Sequence, residues 1–227
     1  MKPPISDLTK EQIVALHEYR CKHGHTGLVH FNCYQEEQGF SEKVCYFDLE
    51  SSNLDANYGI MLTWANKPAG SKEIEHDSIT KEDLINGDLD KRIVISAMKS
   101  LHKYDRIVGH YSRKFDIPFL RTRAMYWHLD ELFPKPGELA HTDTWELAKT
   151  LLKLNSNRQV TVAEALIGNA KGQVLKTRID PNHWIKALQG DEKALAYILD
   201  HNIRDVIELE RNHKRLQRFA RKSNRSI

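Results

Sequence analysis

The chain contains no apolar run that approaches the length of a membrane span, and Met1-Lys2-Pro3-Pro4 leads into a polar segment without a signal-peptide core. A soluble, cytoplasmic protein is therefore expected. Cysteine is scarce and odd in number, three in 227 residues, with Cys45 inside an apolar stretch. That excludes a disulfide framework and points to a reducing compartment. No internal repeat and no long linker interrupt the chain. With 40% hydrophobic residues it is long enough to bury one sizeable core unaided. Negative charge is missing altogether from its end: residues 211–227 hold seven Lys or Arg and no acid. The net charge of +3 thus conceals a mildly acidic body with a basic end, suited either to a polyanion or to the C-terminal dipole of a helix.

What is present centres on Lys43-Val44-Cys45-Tyr46-Phe47-Asp48-Leu49-Glu50, whose β-branched and aromatic residues predict a strand. Alternation puts Val44, Tyr46, Asp48 and Glu50 on one face and Cys45, Phe47 and Leu49 on the other. Two carboxylates side by side repel unless a cation lies between them, and a divalent metal is the simplest such cation. In a solvated turn past the strand end, which Ser51-Ser52-Asn53 would suit, they need no partner.

Around this strand the sequence predicts a helix over 6–20 with Ser6 or Asp7 as cap, a strand over 58–65 and a polar edge strand over 71–79. Asn66-Lys67-Pro68-Ala69-Gly70 reads as the hairpin turn between the last two. Helices are expected over 90–101, from about Ile117 to Trp127 with Pro118 in the first turn, over 145–154, over 161–167 with Gly168 at the end, and after Gly190 into the basic end. Strands at 106–110 and 140–144 fall between them, and Asp143 is placed to cap the helix beginning near Trp145. Three antiparallel strands followed by alternating helices and parallel strands make a mixed-sheet α/β domain flanked by helices.

The segment 21–33 packs two cysteines and three histidines together. Cys21-x3-His25 and His30-x2-Cys33 supply the two close pairs that a tetrahedral zinc site takes, with His23 able to replace His25. A histidine-rich surface loop with two inert thiols is the other reading. Four protein ligands would make any zinc structural, because no coordination position stays open.

Two further acids stand where sites form. Asp116 follows a strand and precedes a helix, at the C-terminal edge of a sheet, and Asp205 lies on the last helix four residues from His201, on the same face. Phe47-Asp48-x-Glu50, then Val108-Gly109-His110-Tyr111-x3-Phe115-Asp116-Ile117-Pro118-Phe119-Leu120-x2-Arg123-Ala124, then His201-Asn202-x2-Asp205 resemble, in order, the three motifs of the DEDD exonucleases. The flavour is that of the proofreading domain of family B DNA polymerases and of small stand-alone ribonuclease H-like proteins. The resemblance spans about residues 43–215 and implies a ribonuclease H-like domain over 41–220. An N-terminal helix with the Cys/His-rich loop over 1–40 and a basic tail over 221–227 lie outside it.

By that resemblance Asp48, Glu50, Asp116 and Asp205 would bind two Mg²⁺ or Mn²⁺ ions, with Asp48 bridging, for in-line hydrolysis at phosphorus. The implied activity removes nucleotides from the 3′ end of single-stranded or frayed DNA or RNA and releases nucleoside 5′-monophosphates. A polymerase or other nucleic-acid-processing protein is the implied partner. His201 is the candidate general base, at the spacing the family usually gives to tyrosine; Tyr197, one turn earlier, is a second candidate for the site. Tyr111 stands where the family often has asparagine. Tyr46, Tyr111, Phe119 and Tyr126 are aromatics available for gripping a strand or for the core. The competing classes are a non-catalytic nucleic-acid-binding scaffold and an internally cutting ribonuclease H-type endonuclease.

Overall fold

The computed structural model describes residues 8–37, 42–168, 180–220 and 225–227. Two compact units divide at Lys43 and Val44.

In the larger unit a five-stranded sheet runs in the order β3-β2-β1-β4-β5. β1 (Val44–Ser51), β2 (Met61–Pro68) and β3 (Glu75–Ser78) form an antiparallel meander, whereas β4 (Arg106–Gly109) and β5 (Ala140–Asp143) run parallel to β1. Parallel neighbours need crossovers, here α3 (Lys81–Ile85) with α4 (Lys91–Leu101), and α5 (Asp116–Tyr126). After β5 come α6 (Thr144–Leu151), α7 (Gln159–Ile167), α8 (Pro181–Leu188) and the long α9 (Glu192–Leu216).

The alternation along β1 sorts the core into two layers. Cys45, Phe47 and Leu49 pack with Ile93, Val94, Ala97 and Met98 of α4 and with Ile117, Leu120 and Ala124 of α5. On the other face Tyr46, Ala65 and Val108 meet Val206 and Leu209 of α9. The first layer is pinned by a buried ion pair. Asp90, fully buried ahead of α4, accepts from Arg123 Nη2 at 2.7 Å and Nε at 2.8 Å. It also accepts from Trp127 Nε1 and from Met61 N–H, both at 2.8 Å. One carboxylate thus ties β2, α4 and α5 together.

Several expectations shift. β2 begins three residues later than 58–65 because a turn occupies the preceding segment, closed by Asp55 O accepting from Gly59 N–H at 2.8 Å and Ile60 O accepting from Ser52 N–H at 3.0 Å. It then runs through Asn66 and Lys67, polar residues expected in a turn. Asn66 is buried and donates to Ser100 Oγ at 2.8 Å, and Lys67 pairs with Glu210 of α9. β3 is shorter than 71–79, and α3 and α8 were not expected; α8 is started by Asp180, which accepts from Asn182 N–H, and by Pro181. At the C-terminus Ser226 bridges Ala140 of β5, with Arg225 O accepting from His141 N–H at 2.7 Å.

In the smaller unit α1 (Lys10–Glu18) opens with a capping box between Thr9 and Gln12, and α2 (Phe31–Glu37) follows the Cys/His segment. The expected caps Ser6 and Asp7 lie outside the described residues.

Candidate active site

β1 carries the first half of the site. Its pairing with β4 ends at Tyr46 opposite Val108, while pairing with β2 continues through Asp48 opposite Ala65 and Glu50 opposite Thr63. Beyond the last β4 partner, Leu49 N–H is met by a side chain: Asp116 Oδ1, at the start of α5, accepts from it at 3.0 Å.

The loop that delivers Asp116 is held from below. Asp143 Oδ1 accepts from Tyr111 N–H at 2.9 Å and Oδ2 from Arg113 N–H at 3.0 Å, while Oδ1 also takes Trp145 N–H at 2.9 Å. The helix cap expected of Asp143 is present, and the loop clamp is an added role. A Cβ at Gly109 would lie 2.3 Å from Ser112 Cβ, so the loop folds back over the end of β4 only because that residue is glycine. Tyr111 adopts φ 62°, in the left-handed region that few residues other than glycine enter.

α9 brings the second half. Asn202 shares the helical stripe of Val206 and Leu209 and is fully buried. Its Nδ2 donates to Asp48 Oδ2 at 2.6 Å, and its Oδ1 accepts from Thr63 Oγ1 at 3.2 Å. His201 is buried, with Nε2 3.6 Å from Asp205 Oδ2 and 3.8 Å from Glu50 Oε1, and Trp184 stands edge-on to its ring. Glu50, His201 and Asp205 offer ligand atoms that all lie within 4.8 Å of one another. Tyr197 lies flat on His183, ring centroids 3.8 Å apart.

The acids perturb each other. Burial, reinforced by the Asp116, Asp205 and Glu50 carboxylates, holds Asp48 well above the usual carboxylate range despite the Asn202 hydrogen bond. Burial also pushes Asp116 up to about 7, against the lowering effect of Leu49 N–H and with Asp143 and Asp205 adding to the rise. Carboxylates gathered against their own repulsion are the donor set of a hard divalent cation, so the residues fit the ions that the motifs imply.

Of the aromatics, Tyr46 and Phe119 are buried, Tyr46 with its hydroxyl 3.1 Å from His213 Nδ1, and are therefore core rather than grip. Tyr126 is exposed but carries the Arg123 guanidinium 4.4 Å over its ring. Tyr111 is 41% exposed, edge-on to Trp145, with Lys114 Nζ 5.8 Å and 5.5 Å from the two ring centroids.

In the smaller unit Cys21, His23, His30 and Cys33 converge, every ligand atom within 4.8 Å of the others. His25 is not in this group; His23 takes the place given to it in the pairing of Cys21 with His25.

The fold agrees with the comparisons. Residues 45–217 match the family model RNase_H_2, described as the RNase_H superfamily, and the chain belongs to that superfamily. Its fold is ribonuclease H-like. It is similar to the structure of the family B DNA polymerase from the hyperthermophilic archaeon Pyrobaculum calidifontis, with TM-score 0.63 and 19% identity over 78% of this chain. The chain spans 25% of that polymerase. No curated protein matches. The match supports nuclease activity at the level of the superfamily. No helix among the described residues is long and apolar enough to cross a membrane.

Proposed function

We propose that the chain is a 3′–5′ exonuclease of single-stranded or frayed nucleic acid, with Asp48, Glu50, Asp116 and Asp205 holding two Mg²⁺ or Mn²⁺ ions. The observation that carries this reading is the convergence of β1, the start of α5 and α9 on one acidic cluster with a buried histidine against it. A pair of divalent ions, when bound, supplies the positive charge that makes a water nucleophilic at neutral pH and stabilises the departing 3′ oxygen. The chain does the rest. Leu49 N–H and Asn202 fix the orientations of Asp116 and Asp48, and the layer of α8 and α9 shields His201 from bulk water. His201 Nε2 is the atom that takes up the proton, a role that typically contributes about 10²- to 10⁴-fold. Tyr111, flanked by Lys114, offers a face for a terminal base and a cation for its phosphate.

Single-stranded DNA and RNA labelled at either end, supplied with Mg²⁺ or Mn²⁺, test the reading. Release of 5′-monophosphates from the 3′ end is expected, together with inertness of a closed circle. Cutting of the circle would make the enzyme an endonuclease, and absence of any cleavage would leave a binding scaffold.

Asn202 enters as a positioning residue. Asn202→Ala removes the 2.6 Å donor to Asp48. The divalent concentration for half-maximal activity is expected to rise by about 10- to 100-fold, as for other groups that orient metal ligands. An unchanged metal dependence would reduce Asn202 to packing.

A further inference from the structure

The Cys/His cluster of the smaller unit is unused by the nuclease chemistry, and its geometry is specific. Arg20 and Thr26 bridge as antiparallel partners, Cys21 N–H donates to His25 O at 3.0 Å, and Gly24 N–H donates to Cys21 O at 2.8 Å. Gly24 takes φ 77°, open to glycine at little cost, and this tight turn sets Cys21 and His23 side by side. Downstream, Thr26 O accepts from His30 N–H at 2.8 Å, and Cys33 N–H donates to His30 O at 3.1 Å, so the second pair sits on one turn.

A tetrahedral zinc ion with bonds of about 2.3 Å to sulfur and about 2.05 Å to nitrogen requires sulfur and nitrogen ligands about 3.6 Å apart. The observed separations are 3.4 Å for Cys21 Sγ to His30 Nδ1, 3.8 Å for Cys21 Sγ to His23 Nδ1 and 3.7 Å for Cys33 Sγ to His23 Nδ1. His23 Nδ1 has a single lone pair yet faces both sulfurs, which are not joined as a disulfide. One cation among the four atoms satisfies all of them.

Two thiolates and two imidazoles without a carboxylate select zinc over the oxygen-seeking ions of the acidic cluster. The unit also needs a staple: among its described residues the buried apolar side chains are Leu16, Cys21 and Cys33, too few for a core of its own.

We propose that Cys21, His23, His30 and Cys33 bind one structural zinc ion, releasing the two thiol protons to solvent, with His25 outside the ligand set. Full-length protein purified without chelator is expected to contain one zinc per chain. X-ray absorption should give a first shell of two sulfurs and two nitrogens, a readout that needs no variant. Zinc should be lost from Cys21→Ser and from His23→Ala, kept in His25→Ala and in His23→Cys, and kept in Asp48→Asn, which separates this site from the acidic cluster. Wild-type protein that holds no zinc and takes up none when it is added would overturn the proposal. So would a shell without sulfur, or loss of zinc from His25→Ala with retention in His23→Ala.

Discussion

Asp48→Asn is expected to abolish divalent-dependent degradation and, in chelator, to make the protein more stable than the wild type. The loss of activity should be at least about a thousandfold, the size of several kcal/mol of transition-state charge stabilisation. The gain in stability has a separate origin. Without a cation the fold gathers Asp48 and Asp116 against burial and against their neighbours' charge, and an amide carries no charge to repel. Its carbonyl still accepts from Asn202 Nδ2. The sign with pH follows from the raised values. The folded state binds these protons more tightly than the unfolded chain, so the contribution to stability is greatest below the unfolded carboxylate pKa of about 4 and is lost as pH rises towards about 7, where Asp116 titrates. The difference in melting temperature between variant and wild type in chelator should therefore widen across that window. Added Mg²⁺ or Mn²⁺ should raise the wild-type melting temperature and barely move the variant. A variant that is less stable than the wild type at pH 7 in chelator would contradict this account of the cluster.

Asp90→Ala should be the most damaging single substitution for folding. It strands Arg123, 4% exposed at its side chain, without the carboxylate that now takes two of its N–H groups. Breaking a buried pair in this way costs about 3–5 kcal/mol, against a total stability of about 5–15 kcal/mol. In a chain of this size that corresponds to a fall of about 6–20 °C in melting temperature. Asp90→Ala with Arg123→Met should recover much of the loss, because no unpaired charge then remains. If the double variant is no better than the single, Asp90 matters through its Trp127 and Met61 hydrogen bonds instead. Arg123 belongs to the second motif by sequence, and its pairing with Asp90 makes it a brace between α4 and α5.

The acids were legible because motif order and element type together restrict where a carboxylate can stand. The alternation along β1 that put Asp48 and Glu50 on the α9 face follows from strand geometry alone. What escaped was set by tertiary partners. Asn66 and Lys67 read as a turn because they are polar, and they remain in β2 with the Asn66 amide N–H donating to Ser100 and Lys67 paired with Glu210. Asn202 was visible as a letter beside His201, but its role depends on Asp48, 154 residues away in sequence. Asp90 gave no signal beyond its place before a helix. That His23 rather than His25 converges with His30 and the two cysteines follows from the turn at Gly24, which spacing does not encode. Helices as short as α3 carry too few turns for periodicity to register.

The division of the proposed ligands between β1 and α9 has a mechanical consequence. Asp48, Glu50 and Asp116 move with the sheet, the last through its bond to Leu49 N–H, whereas His201, Asn202 and Asp205 move with one helix. The two sets meet across an apolar seam of Tyr46, Ala65, Val108, Val206 and Leu209. A sliding of α9 by a fraction of an ångström would change every distance between the sets at once and none within either. Trimming two methyl groups from that seam, as in Val206→Ala, touches no phosphate, but it loosens the joint on which the alignment of the acids depends.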